Sequence, residues 1–341
     1  MGVTIKDIAK RSGVGISTVS RVLNGSGPTS SKTKQRVMEV VRELNYIPNT
    51  NARNLKLGRS NTIMILVKTI ANAFFQQLID IVEQMITLRG FTLEIRNVNF
   101  MEDEIAIAKM EAQNANLAGI VICGGVYGYS NEDFLEIGIP CVLVTIKASD
   151  DVDCELYSSV LIDDRAEMMR ATEHMIKLGH RRIGCIYSNV GAAVTPNVLR
   201  FEGYKDALRR NQIPFDPNLV SPALDFTGSG FAFGFKMMKL LMEKNPDMTA
   251  VVTMADIMSI GAAKAALTAG RSIPEDISVI GFDGIEAAEY YSPALDTIAQ
   301  PAHQMAQGVV DALIQMIHNG KTSHIILKSD LIERGSSAKV K

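Results

Sequence analysis

At the start of the chain, apolar positions recur at helical spacing and are broken by turn residues. Ile5, Ile8 and Ala9 share one face, which predicts a first helix. Thr4 can cap it and Asp7, three residues on, can answer the cap. Gly13-Val14-Gly15 breaks the pattern, with Val14 free to point inward. A second helix from about Ile16 to Asn24 turns Val19, Val22 and Leu23 inward. Ser17, Thr18, Ser20, Arg21 and Asn24 are left outward. The stretch SSKTKQRVMEVVRELNY predicts a third helix with Val37, Val40, Val41 and Leu44 inward.

From Thr62 onward the pattern alternates between short apolar runs and amphipathic helices. TIMILV, FTLEIRNV, AGIVICGG, PCVLVTI, SSVLID, RRIGCIY, NLVSPALDF, AVVTM and SVIGFDG read as strands, with helices between most of them. Strands apolar throughout and alternating with helices imply parallel sheets covered on both faces. The pattern occurs twice, so two doubly wound lobes are expected, divided near Leu161. The helix AHQMAQGVVDALIQMIHNG should return to the first lobe, and SHIILKSDLIE should form one final strand.

Charge adds a partner class. Residues 1–60 hold eleven Lys/Arg against three acidic residues, a balance of +8, whereas the whole chain carries −2. A basic head on an acidic body points to a polyanion for the head alone. No run reaches transmembrane length and no signal-like stretch opens the chain, so a cytoplasmic protein is expected. Cys123, Cys141, Cys154 and Cys185 have no zinc spacing and read as reduced residues, three of them in strands. There is no P-loop, GxSxG or HExxH. Gly228, Gly230 and Gly234 form only a loose GxGxxxG and read as helix-start and packing glycines. The five histidines are scattered, with helix-end capping expected of His180. No enzyme, metal or cofactor is therefore expected.

Two short helices around a tight turn are helix-turn-helix geometry, whose second helix enters the DNA major groove. Arg21 can fork onto guanine, Ser17 and Thr18 can reach base edges, and Ile16 can touch a thymine methyl. TVSRVLN, Thr18 to Asn24, resembles the headpiece of lactose-repressor (LacI/GalR) family transcription regulators. SSKTKQRVMEVVRELNY resembles that family's third helix and PNTNARNLKLG its hinge helix, and the resemblance continues through the chain. It implies a small all-α helix-turn-helix headpiece over residues 1–47, a hinge helix and linker over 48–60, and an effector-binding domain over 61–335. That domain would be an α/β periplasmic-binding-protein-like sensor of two doubly wound parallel-sheet lobes. Lobe 1 would span about 61–160 and 299–325, lobe 2 about 161–298 and 326–335. DNA contacts would come from Thr4, Ile5, Lys6, Gly15, Ile16, Ser17, Thr18, Ser20, Arg21, Asn24, Ser30, Thr33, Tyr46, Asn49, Ala52 and Leu55. Leu55 would be a wedge pushed into the minor groove.

In the sensor, the resemblance places effector contacts at Phe74 and Phe75 of NAFF, at Arg200, at Phe226, and at Asp283 of GFDG. Asp163, at the cleft end of its strand, and Thr145 join them, with Lys68, Lys147 and Asp256 as further candidates. Either phenylalanine has the alternative of a core role, and Arg200 and Asp283 that of pairing with each other. The sequence departs from the family at Thr145-Ile146, at Ala255-Asp256 and at Val67-Lys68-Thr69. The implied function is a DNA-binding repressor that reads a pseudo-palindromic operator as a homodimer, sits on the nucleoid when bound, and obeys a small-molecule effector. That effector is expected to be a carbohydrate or derivative. Arg200, Lys68 and Lys147 together suggest one with an anionic group. A tetramer is not expected, because Arg334 to Lys341 cannot supply apolar heptads. The rival reading is a periplasmic-type solute-binding protein or a sugar-converting enzyme, which leaves the basic head unexplained.

Overall fold

The computed structural model describes residues 5–24, 29–44, 60–68, 70, 72–99, 102–188, 193–222 and 230–340. The chain divides into two compact units, Met1–Ser60 and Asn61–Lys341.

The first unit holds α1 (Ile5–Ser12), α2 (Ile16–Asn24) and α3 (Ser31–Glu43). Its core is Ile8, Ala9, Val19, Val22, Val37 and Val40, with Val14, Val41 and Leu44 packed at the edge. The turn between α1 and α2 depends on Gly13, whose φ of 66° lies in the left-handed region. It brings the Val14 amide to the Ala9 carbonyl at 3.2 Å. The hinge residues expected over 48–60 lie outside the described residues, apart from Ser60.

The second unit contains two sheets. β1 (Thr62–Lys68), β2 (Thr92–Val98), β3 (Gly119–Cys123), β4 (Cys141–Val144), β5 (Ser158–Ile162) and β10 (His324–Leu327) form the first, in the order β10-β5-β4-β3-β1-β2. All of its pairings are parallel. β6 (Ile183–Ile186), β7 (Ala250–Thr253), β8 (Ser278–Asp283), β9 (Asp296–Ala299) and β11 (Asp330–Ile332) form the second, in the order β11-β9-β8-β7-β6. Only β11 runs antiparallel there. Helices α4 (Ala73–Leu88), α5 (Glu104–Asn114), α6 (Asn131–Ile137) and α12 (Ala302–Asn319) accompany the first sheet. Helices α7 (Asp164–Lys177), α8 (Pro196–Arg210), α9 (Phe231–Lys244), α10 (Asp256–Thr268) and α11 (Glu286–Glu289) accompany the second.

Three expectations shift. The division near Leu161 moves past Ile162, because Leu161 pairs with Ile326 inside the first sheet. Ala299 stays in the second sheet, opposite Asp283 and Asp330, so the chain returns only at α12. SHIILKSDLIE is two strands and not one: β10 completes the first sheet and β11 the second. The chain thus crosses between lobes three times, after Ile162, after Ala299 and after Leu327. In NLVSPALDF the described residues show a 3-10 turn at Pro217–Leu219 and a single bridge from Val220 to Cys185.

Gly234 packs α9 against α10 so closely that a Cβ would sit 2.1 Å from the Met258 carbonyl oxygen, which bears on its packing role. His180 caps no helix with its ring. Its Nδ1 meets the Thr249 hydroxyl at 2.9 Å and its Nε2 the Ala338 carbonyl at 3.0 Å, fastening the tail to the second lobe. Asp296 fastens the same tail by accepting the amides of Arg334, Gly335 and Ser336.

Candidate functional site

The first unit presents one helix face. The Gly15 carbonyl accepts the Thr18 and Val19 amides at 2.9 and 3.1 Å, so α2 starts directly from the turn. Burial of Val19 and Val22 then turns Ile16, Ser17 and Arg21 outward, while Thr18 and Ser20 are half-buried. Ile16 is 47% exposed, which leaves its apolar surface unburied. Ser30 and Thr33 start α3: the Ser30 hydroxyl accepts the Thr33 amide at 3.2 Å. Ile5, Lys6 and Asn24 lie in α1 and α2, with their side chains outside the described residues. So do Thr4, Tyr46, Asn49, Ala52 and Leu55 entirely.

The second unit gathers polar groups beyond the carboxyl ends of its strands, where open α/β sheets bind ligands. Arg200, on the inner face of α8, is 5% exposed and donates from Nε to Asp164 Oδ1 at 2.6 Å. Its Nη1 donates to the Met254 carbonyl at 2.5 Å and to Asp283 Oδ1 at 3.4 Å. The guanidinium lies 3.6 Å above the Phe282 ring. Asp283 also accepts Gln300 Nε2 at 2.8 Å and Asn72 Nδ2 at 3.0 Å. Asn72 follows β1 and caps α4 through the Phe74 amide, so its bond to Asp283 ties one lobe to the other. A second tie runs from the Tyr127 amide to the Val194 carbonyl at 2.8 Å.

Burial sets the charges. It pushes the Asp164 carboxyl up to about 6, outweighing the attraction of Arg200. It pushes Asp283 up as well, against Arg200 and three hydrogen bonds. Burial and then the Asp283 charge push Asp256 up to about 8. Burial opposes the Arg200 charge, but Asp164 and Asp283 outweigh it and hold the guanidinium protonated.

The structure separates the expected effector residues. Arg200 and Asp283 come together, in direct contact. Thr145, directly after β4, is buried and has φ at 66°. The Tyr127 hydroxyl donates to its carbonyl at 3.2 Å. Phe75 is half-buried against Gly124, at the carboxyl end of β3. Phe74, by contrast, is 2% exposed and belongs to the core. Asp163 is exposed, and its carboxylate caps α7 through the Ala166 amide at 3.0 Å. Asp256 is interior: it accepts the Gly284 and Ile285 amides and the Thr297 hydroxyl, and so shapes the turn behind Asp283. Phe226 lies outside the described residues.

The three cations behind the expected anionic group are each paired. Lys68 pairs with Glu104 and donates to the Glu102 carbonyl, Lys147 pairs with Asp150, and Arg200 sits between two carboxylates. Each of the three proposed cations already has a carboxylate partner.

Asn72, Tyr127, Asp164 and Gln300 were missed. Gln300 directly follows β9 and Asp164 opens the helix just after β5, positions that mark ligand contacts in such sheets. Tyr127 carried no signal, because its loop reaches the site only through the fold. Among the described residues, no group of three or more His, Cys, Asp and Glu could hold a metal ion. No helix among them is long and apolar enough to cross a membrane.

Comparisons with known proteins bear on both surfaces. A profile of bacterial regulatory proteins of the lacI family matches residues 4–49, and one of periplasmic binding protein-like domains matches residues 172–337. The HTH-type transcriptional regulator MalR of Clostridium butyricum is 33% identical over 335 residues, 97% of this chain and 98% of its own. The lac repressor dimer bound to operator and the anti-inducer ONPF superposes with a TM-score of 0.80 at 25% identity, covering 99% of this chain and 100% of that one. A complex of the transcriptional regulator CelR with cellobiose matches with a TM-score of 0.70 at 27% identity, covering 98% and 99%.

Proposed function

The chain belongs to the lacI family of bacterial regulatory proteins, and from that premise we propose that it represses transcription at an operator and releases or grips DNA according to a carbohydrate in its cleft. The observation that carries this is the cluster in which Asn72 of one lobe and Arg200 and Gln300 of the other converge on Asp283. A ligand competing for those hydrogen bonds acts directly on the contact between lobes.

On the DNA side, the exposed Ile16, Ser17 and Arg21 read base edges, and the basic unit supplies phosphate contacts and most of the affinity. Thr18, Ser20, Ser30 and Thr33 remain contacts of the same proposal. A homodimer places two such helices on a pseudo-palindrome. Leu88 on α4 is 87% exposed and Ile95 on edge strand β2 is 46% exposed, apolar positions of the first lobe that a dimer can cover.

On the ligand side, the paired cations favour a neutral carbohydrate over an acidic one. Its binding shifts a two-state equilibrium only to the extent that its affinity differs between lobe arrangements. DNA selection with the purified full-length chain, with and without a panel of neutral sugars, tests the reading. A discrete palindromic site whose occupancy changes with one sugar is expected. Removal of residues 1–60 should abolish DNA binding and leave sugar binding intact. Sugar binding without any DNA preference would overturn it.

A further inference from the structure

Two side chains bonded to Arg200 and Asp283, and a third linked to them through Tyr127, carry buried polar atoms without a hydrogen-bond partner among the described residues: Asp164 Oδ2, Gln300 Oε1 and Thr145 Oγ1. Their residues are 1%, 7% and 3% exposed. They stand at the carboxyl ends of β5, β9 and β4 and belong to one connected cluster. Gln300 and Arg200 share Asp283 Oδ1, Arg200 holds Asp164 Oδ1, and Tyr127, bonded to the Thr145 carbonyl, feels the charges of both Asp164 and Arg200. Such atoms are costly to leave unmatched, and a native fold keeps few of them. Strain coincides with them: Thr145 and Asp283 both have positive φ, at 66° and 111°.

The chemistry of the three atoms is one-sided. A carboxylate oxygen and an amide oxygen only accept, and a threonine hydroxyl both accepts and donates. What matches them is a ligand rich in hydroxyl donors. We propose that Asp164 is a specificity-determining residue of the cleft, its free Oδ2 accepting a hydroxyl of a neutral polyol while Gln300 Oε1 and Thr145 Oγ1 take neighbouring hydroxyls, and that binding expels a proton from Asp164. This rests on the cleft reading above and adds to it a residue and a proton.

The proton follows from the geometry. The groups facing Asp164 are Arg200 from α8, Asp283 from β8, Tyr127 from the loop after β3, and Asp163 beside it on its own helix. The carboxylate of β9, Asp296, is held at the far end of that strand by the tail. Only Arg200 favours the ionised form, and burial leaves the carboxyl titrating near 6. A hydroxyl donated to Oδ2 stabilises the ionised form alone, so the ligand binds that form more tightly. Affinity should then rise with pH through about 6 and level off above it.

The test is calorimetry on the full-length protein with the sugar selected above, between about pH 5 and about pH 7.5, in buffers of differing ionisation enthalpy. Wild type is expected to lose about tenfold in affinity at the acid end, one proton over one unit below the carboxyl's value. Asp164→Asn should bind at least tenfold more weakly at neutral pH, lose the acid step and release no proton. Thr145→Val, which leaves Asp164 in place, should weaken binding and keep the step. A urea unfolding transition like that of wild type in both variants shows that they fold. Asp164→Asn binding as tightly as wild type, with the same pH profile, would overturn the proposal alone. Wild type binding no neutral polyol would overturn the cleft reading and this proposal together.

Discussion

Asp256 provides a sharp test of how the cleft is held. Its side chain is fully buried and accepts the Gly284 amide at 2.7 Å, the Ile285 amide at 2.9 Å and the Thr297 hydroxyl at 2.7 Å. Burial and the nearby Asp283 charge push its carboxyl up to about 8. At neutral pH it is therefore protonated, with Oδ2 still accepting two amides. Its own proton can go to the Thr297 oxygen, whose hydroxyl has a second acceptor in the Ile298 carbonyl at 3.3 Å. Asp256→Asn keeps this pattern, the amide nitrogen replacing the acid hydroxyl, so it should match wild type near pH 4 and be more stable than wild type at about pH 7 by up to about 4 kcal/mol, because its unfolded chain gains nothing by ionising. Asp256→Ala strands two buried amides and should be less stable than Asp256→Asn by about 2–6 kcal/mol, at about 1–3 each. The pH dependence has a definite sign. The folded value lies above the ordinary 3.8, so the stabilisation is complete below that value and is lost as pH rises through about 8. The slope contributed by this group is on the order of 1.4 kcal/mol per pH unit across that window. Urea unfolding of the three proteins from about pH 5 to about pH 9 measures it. Wild type should weaken toward the alkaline end, and Asp256→Asn should lack that component. If Asn costs as much as Ala, the carboxyl is ionised and the reasoning fails.

Other outcomes follow from the remaining surfaces. Arg21→Ala should cost about 1–3 kcal/mol on the selected operator and relax one base-pair preference, whereas Lys34→Ala on α3 should at most weaken all sequences alike; equal losses on cognate and random DNA would remove Arg21 from base readout. Leu55→Ala should reduce operator bending, measured by energy transfer, and leave sugar binding intact; an unchanged bend would eliminate the wedge. Sedimentation at micromolar concentration should show a dimer, the state that a two-fold operator requires. A stable tetramer would contradict this.

What the sequence determined by itself was everything governed by local spacing. Helical periodicity placed Val19 and Val22 inward and so turned Ile16, Ser17 and Arg21 outward, and apolar runs marked the buried strands of both sheets. These patterns are legible because burial of one face repeats every few residues along a single element. The tertiary structure decided whatever depends on partners far apart in the chain. Phe74 and Phe75 are neighbours, yet one enters the core and the other faces β3. Asp163 and Asp164 are neighbours, yet one caps a helix in solvent and the other is buried against Arg200. Lys68 reads as a free cation until Glu104, thirty-six residues away, is brought beside it. The expected final strand divides because residues four apart pair with different sheets. In each case one bond rotation or one turn of helix sends adjacent side chains to different surroundings, and only the assembled lobes supply the carboxylates, amides and carbonyls that fix their charge.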